Sequence, residues 1–284
     1  MPSRHAITTC SDARYEGFLV DHWLASLRDN VTLTGVDVIV IDYGLTARCR
    51  ARLQASGVVC HPGRRDGHPT NIRYRELAEI LSRRSYDQVL CSDSGDIIFQ
   101  ADVSHLFERD GDAFRAVCEE KAAPIHEYLI PTHDFVPDAY AKIARFLRGR
   151  PVINGGFVLG PAAKMGRLWE RFQPYCRGFG TYASDQLLVN YLLYKDGFKR
   201  LETGFNFVLT TATSPYSIRE GVFCDASGGV IPVVHNAGMN HVVRRIRRFG
   251  YGRGRNVRKR VTPAVLKVAG TSLRWCRTLR ATRA

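Results

Sequence analysis

At 284 residues, 45% hydrophobic and 24% charged, the chain has the composition of a soluble globular protein and the length for a substantial core. Disordered, collagen-like and low-complexity classes are excluded, and no run nears the ~18 apolar residues of a membrane-spanning helix. The formal net charge is +14, but 14 of the 41 Lys and Arg lie in residues 244–284 and no acidic residue follows Asp225, so the upstream body is balanced. The first residues carry no signal-peptide-like apolar region, and the eight cysteines are scattered without a C-x-x-C pair. Reduced thiols in a cytoplasmic setting are therefore expected.

In chain order, residues 4–10 read as a first strand, followed by a helical pattern to about residue 28. Residues 36–41 (VDVIVI) are a continuous, β-branched second strand ending at Asp42. A short helix over 45–55 leads to a third strand at 57–60, and Pro69 opens a helix with Leu77, Ile80 and Leu81 at helical spacing. Residues 86–92 form a fourth strand. Strands alternating with helices predict an α/β fold with a doubly wound, mostly parallel sheet, in which ligands bind beyond the carboxyl ends of strands. Thr8, Thr9, Ser11, Asp12, Asp42, Asp93 and Asp96 are placed there. Further on, 113–118 and 152–159 read as strands joined by a long polar connection over 119–138, the stretches 162–172 and 184–195 as helices, and 230–234 as a late strand ending at His235.

Four constellations can carry chemistry. Ser92-Asp93-Ser94-Gly95-Asp96 brings two carboxylates together at a strand end, where they repel unless a cation lies between them. Hard oxygen ligands suit Mg²⁺ or Mn²⁺, while a solvated turn is the plain alternative. Asn154-Gly155-Gly156 places two glycines inside a strand, a mark of a bulge or of a close backbone approach. Ser184-Asp185-Gln186 opens a helix, with Ser184 or Asp185 as N-cap, or with the Asp185 carboxylate and Gln186 amide facing the cleft. His235 ends an apolar strand and is a candidate metal ligand or a structural histidine. No Ser-His-Asp elbow, P-loop or G-x-G-x-x-G is present, and residues 8–15 lack the Gly-rich basic loop of a nucleotidyltransferase.

Taken in order, NIRYREL (71–77), VLCSDSGDIIF (89–99), NGGFVLG (154–160), SDQ (184–186) and HNAG (235–238) resemble GT-A glycosyltransferases, particularly family 8 and its relatives, over residues 5–241. The resemblance implies a metal-dependent transfer of a sugar from a nucleotide-sugar, a UDP-sugar by default, to a glycan, glycolipid or protein acceptor, with retention. It implies that Asp93, Asp96 and His235 hold Mn²⁺ or Mg²⁺ and that Thr8, Thr9, Asp42 and Arg73 contact the nucleotide or its phosphates. It further implies that Asn154, Gly155 and Gly156 contact the donor sugar, with Asp185 and Gln186 at the reacting centre. Gly238 and His241 fall on the family's H-x-x-G-x-x-K, with histidine in place of lysine, so Arg244 or Arg245 would have to supply the missing charge at the diphosphate. The two aspartates are three apart rather than the D-x-D two. A catalytically inactive glycan-binding or scaffold protein of the same fold is the alternative function.

The expected domain division is a transferase domain over 1–243 and a basic extension over 244–284. In the latter, residues 263–280 put Val265, Leu266, Ala269, Leu273 and Cys276 on one helical face, with basic residues towards the other. Such a helix suits the anionic inner surface of a membrane and a lipid-linked acceptor; nucleic acid ranks lower, because no recognised nucleic-acid module is present.

Overall fold

The computed structural model of the chain describes residues 4–121, 132–238 and 244–259. Strands β1 (His5–Ser11), β2 (Val36–Asp42), β3 (Val59–Pro62) and β4 (Gln88–Ser92) pair in parallel in the order β3-β2-β1-β4. The alternation in β2 shows why its run is apolar throughout. Ile39 and Ile41 enter one core cluster, Val38 and Val40 the other, so both faces of the sheet are covered. The helix Pro69–Arg83 covers the first face, and the helix Ala47–Ala55 with the helical stretch 16–30 covers the second. Within that stretch Leu19–Leu24 is π-helical, and its fully buried Trp23 donates its ring N–H to Ser92 Oγ at 3.3 Å.

Beyond β4 the direction changes. After β5 (Ile97–Phe99), β6 (Phe114–Cys118) and β7 (Ile153–Pro161), the sheet ends at β8 (Phe198–Arg200), giving the seven-stranded order β3-β2-β1-β4-β7-β6-β8. Strand β7 runs antiparallel to both β4 and β6, while β6 and β8 are parallel. The expected mostly parallel sheet is thus present, with one reversed strand inside it. Because β7 enters from the opposite side, its first residues rather than its last lie against the carboxyl end of β4, with Ser92 opposite Phe157.

A second, three-stranded sheet has the order β5-β12-β9, with β9 at Phe207–Val208 and β12 at Val233–His235. It shares a third core cluster with β10 (Tyr216–Arg219) and β11 (Val222–Asp225). The expected 162–172 helix is two short ones, Ala162–Gly166 and Leu168–Phe172, and a helix Ala139–Leu147 lies within a stretch given no element above. Of the basic extension, residues 244–259 form the hairpin β13 (Ile246–Arg247) and β14 (Val257–Arg258), packed through the buried Ile246 and through Phe249 stacked on Phe18 at 5.9 Å. The amphipathic stretch 263–280 lies outside the described residues. The cysteines among the described residues are all unpaired, and no described helix is long and apolar enough to cross a membrane.

Helix Ser184–Asp196 is buried along most of its length, and its Leu188 is fully enclosed in the first cluster. Leu188→Ala should lower unfolding free energy by about 2–5 kcal/mol, read from the midpoint of a urea titration at unchanged slope.

Candidate active site

The carboxyl ends of β1 and β4, the early part of β7, the start of the Ser184–Asp196 helix and the end of β12 meet in one place. Backbone bonds fix their order. Asp93 N–H donates to Gly156 C=O at 2.9 Å, and Asn236 N–H donates to Asp96 C=O at 2.9 Å. The Asp93-Ser94-Gly95-Asp96 turn therefore crosses from the large sheet to the small one. Ser94 turns away, its hydroxyl donating to Cys10 C=O at 2.9 Å.

The turn aims both aspartates at His235. Nε2 of His235 lies 3.3 Å from Asp96 Oδ1 and 3.9 Å from Asp93 Oδ2, and one ligand atom from each of the three lies within 4.8 Å of the others. His235 is 2% exposed, and Asn236 beside it is equally buried. Burial opposes the charged form of His235, but the facing Asp96 and Asp93 carboxylates outweigh it and raise the imidazole above its ordinary value. Burial likewise opposes ionisation of Asp96, and the His235 and Arg244 charges hold its carboxyl below the usual range. Gly156 is required by this convergence. A Cβ there would come within 2.6 Å of His235 Cε1 and 2.7 Å of Asp93 Oδ2.

Behind the turn lies Arg73, 2% exposed on the Pro69–Arg83 helix. Its guanidinium bonds Asp93 Oδ1 at 2.5 Å, Asp185 Oδ2 at 3.2 Å and Gly155 C=O at 3.1 Å. It is an internal cation between two carboxylates and a strand carbonyl, where the resemblance had implied contact with the nucleotide or its phosphates. Burial pushes the Asp185 carboxyl up to about 6 even though Arg73 pulls it down. Neither Ser184 nor Asp185 caps its helix. The N-cap is Ala183, in the left-handed region at φ 72°, and Asn71 takes over the capping, its Oδ1 accepting Asp185 N–H at 2.9 Å. Gln186 lies along β7, accepting Gly155 N–H at 2.9 Å and donating to Ile153 C=O.

The remaining expected residues divide. Thr8 and Thr9 are each 1% exposed; Thr8 Oγ1 donates to Leu90 C=O across the sheet, and Thr9 Oγ1 is buried without a hydrogen-bond partner. The Asp42 carboxylate accepts Gly44 N–H and Leu45 N–H and pairs with Arg50, so its own turn occupies it. Asn154 faces inward to Glu119 and Asn206. Gly238, at φ +140°, accepts Arg244 Nε–H at 2.9 Å through its carbonyl, and Arg244 Nη2 reaches Asp96 Oδ2 at 2.9 Å. His241 lies outside the described residues. Of the two arginines considered for its place, Arg244 enters the site, while Arg245 faces Ala212 C=O. The aromatic Tyr15, whose ring backs Gly95, and Tyr182, whose hydroxyl the carboxylates of Asp93, Asp96 and Asp185 hold further protonated after burial has raised it, were not singled out from sequence. A lone tyrosine in a loop carries no spacing signal.

A second group, His61, Glu76 and Glu79, is also close enough for a cation. Its carboxylates are already answered by arginines, Glu76 by Arg75 at 2.6 Å and Glu79 by Arg83 at 2.7 Å.

The seven-stranded sheet with its helices and inserted reversed strand is a GT-A glycosyltransferase fold. No protein-family profile and no curated protein sequence matches the chain. Among solved structures, it is similar to the bifunctional glycosyltransferase WbbM in its apo form, at 14% identity and a TM-score of 0.56 over 84% of this chain. This chain spans about half of that protein, 47% of its length. It is also similar to the galactosyltransferase LgtC in complex with donor and acceptor sugar analogs, at 19% identity and a TM-score of 0.52, covering 82% of this chain and 87% of LgtC.

The pH dependence of Asp185 has a definite sign. Its folded value of about 6 lies above the ordinary 3.8, so its contribution to stability is complete below about pH 4 and is lost as pH rises through 6. Asp185→Asn removes that slope. Relative to the unaltered protein, the variant should gain on the order of 2–3 kcal/mol between pH 4 and pH 8, measured by chemical denaturation at both values. An unchanged difference at the two pH values would contradict the assignment.

Proposed function

We propose that the chain is a metal-dependent glycosyltransferase that takes a nucleotide-sugar, a UDP-sugar by default, as donor and a glycan or lipid-linked glycan as acceptor. The observation that carries this reading is the convergence of Asp93, Asp96 and His235 at the carboxyl edge of a GT-A sheet. Two carboxylates and an imidazole facing one another are repulsive unless a cation or a proton joins them, and the oxygen-rich set suits Mn²⁺ or Mg²⁺. A divalent ion held there supplies Lewis-acid stabilisation of the charge that develops on a departing nucleoside diphosphate. Arg244, beside Asp96, adds a second positive group on the same side. Gly155 and Gly156 leave room beside β7 for Gln186 and for the converging His235 and Asp93, and Gln186 holds the strand at Gly155; contact of these residues with the donor sugar rests on the sequence motifs.

Retention of the anomeric configuration is favoured by the state of the nearby carboxylates. Inversion needs a free carboxylate as general base. Asp93 and Asp185 are engaged by Arg73, Asp96 by His235 and Arg244, and Glu119 by Asn154. Membership of family 8, the acceptor class and a membrane role for residues 244–284 rest on the sequence motifs and charge pattern above.

The test is transfer, or hydrolysis, across a panel of nucleotide-sugars with and without Mn²⁺. Activity should require the metal, and Asp96→Ala and Asp93→Ala should each reduce kcat by about 100-fold or more while circular dichroism stays native. No transfer, hydrolysis or metal-dependent binding of any donor, with Asp96→Ala equal to the unaltered protein, would favour an inactive glycan-binding module.

A further inference from the structure

The hydrogen-bond network behind His235 has a polarity that can be read from one end to the other. It begins at Gly156, whose backbone N–H can only donate. The Asn154 atom 3.0 Å from it is therefore the amide oxygen, which leaves the Asn154 NH₂ facing Glu119 Oε1 at 2.8 Å, a carboxylate that can accept it. That same Asn154 oxygen lies 3.0 Å from the Asn206 amide, so Asn206 must present its NH₂ there. Its remaining atom, the oxygen, then faces His235 Nδ1 at 3.1 Å. An oxygen with no hydrogen requires that Nδ1 carry one. All four side chains are shielded, with Glu119 6%, Asn154 6%, Asn206 1% and His235 2% exposed, so water does not scramble the order.

We infer that Asn206, itself oriented by the Gly156 N–H through Asn154 with Glu119 at the far end, is a positioning residue that holds His235 with its proton on Nδ1 and the lone pair of Nε2 aimed between Asp93 and Asp96. This rests on the reading of those three residues as a cation site, and it adds what sets the site's donor atom. A histidine left free to exchange tautomers would present an N–H to the ion for part of the time. A ligand pre-set by a buried amide loses neither orientation nor protonation state on binding. The same chain explains why Asn154 sits beside the glycines. Its oxygen accepts from Gly156 and from Asn206 together, tying the backbone that leaves room for the ion to the residue that aims the imidazole.

The experiment uses the full chain and Mn²⁺ alone, with no sugar donor. Asn206→Leu keeps the volume but removes the acceptor, and Asn206→Asp keeps an acceptor for Nδ1–H. The Mn²⁺ dissociation constant, from titration calorimetry or the electron paramagnetic resonance of free Mn²⁺, should rise about 10–100-fold in Asn206→Leu and stay within a few-fold in Asn206→Asp. Nitrogen-15 spectra of the His235 ring, recorded with saturating diamagnetic Mg²⁺ in place of Mn²⁺, should show the Nδ1–H form in the unaltered protein and a mixture in Asn206→Leu. If the unaltered protein binds Mn²⁺ and Asn206→Leu binds it equally well, the positioning role is overturned while the metal site stands. If the unaltered protein binds no Mn²⁺, the metal reading falls. If the ion binds and the loaded protein shows Nε2–H instead, the network's polarity is overturned.

Discussion

Mutual repulsion of carboxylates dominates the centre of this molecule. Asp185 is buried and Asp93 and Asp96 are partly buried around the same few cations, and that arrangement is stable only if positive groups are placed among them. Arg73 does so from inside, joining Asp93 to Asp185 and to the Gly155 carbonyl. Arg244 and His235 do so from the other side of Asp96. Removing one member of such a set costs more than keeping the set returns, because the partner is left charged in a poor solvent. The Pro69–Arg83 helix, the reversed strand β7 and the start of the Ser184–Asp196 helix are each held by this charge arrangement as well as by their apolar faces.

Much of the architecture was legible in the pattern of residues, for identifiable reasons. The first four strands were recoverable because β-branched runs such as residues 36–41 end sharply in polar turn residues, and helices between them keep a 3.6 period. The placement of Asp93, Asp96 and His235 near one another was legible as an order of motifs. What was not legible depends on pairing at long range. Nothing local in residues 153–161 says that this strand runs against its neighbours, and that reversal lets Gly156 face Asp93. Glu119 and Asn206, at 35 and 52 residues from Asn154, carry no motif, yet they touch it directly. Arg73 was placed at the nucleotide by the resemblance alone, and its burial became intelligible only with two carboxylates beside it.

The three-residue separation of the aspartates also acquires a reason. With Ser94 turned back to Cys10, the carboxylates come from positions 93 and 96, and Gly95, against the Tyr15 ring, has little room for a side chain. The spacing that departs from D-x-D still delivers two carboxylates to one point.

The Asp93–Asp96 turn joins two separate β-sheets, with Asp93 anchored to β7 in one and Asp96 to the residue after β12 in the other. An ion bound at this boundary would act as a rivet between two plates. It would raise the free energy of separating the sheets without adding any apolar contact, by an amount that grows with the ion's occupancy. The residue that would complete the rivet, His235, arrives on a strand more than thirty positions after the large sheet is finished at Arg200. A chain emerging in order would thus close its sheet first and acquire the fastening afterwards.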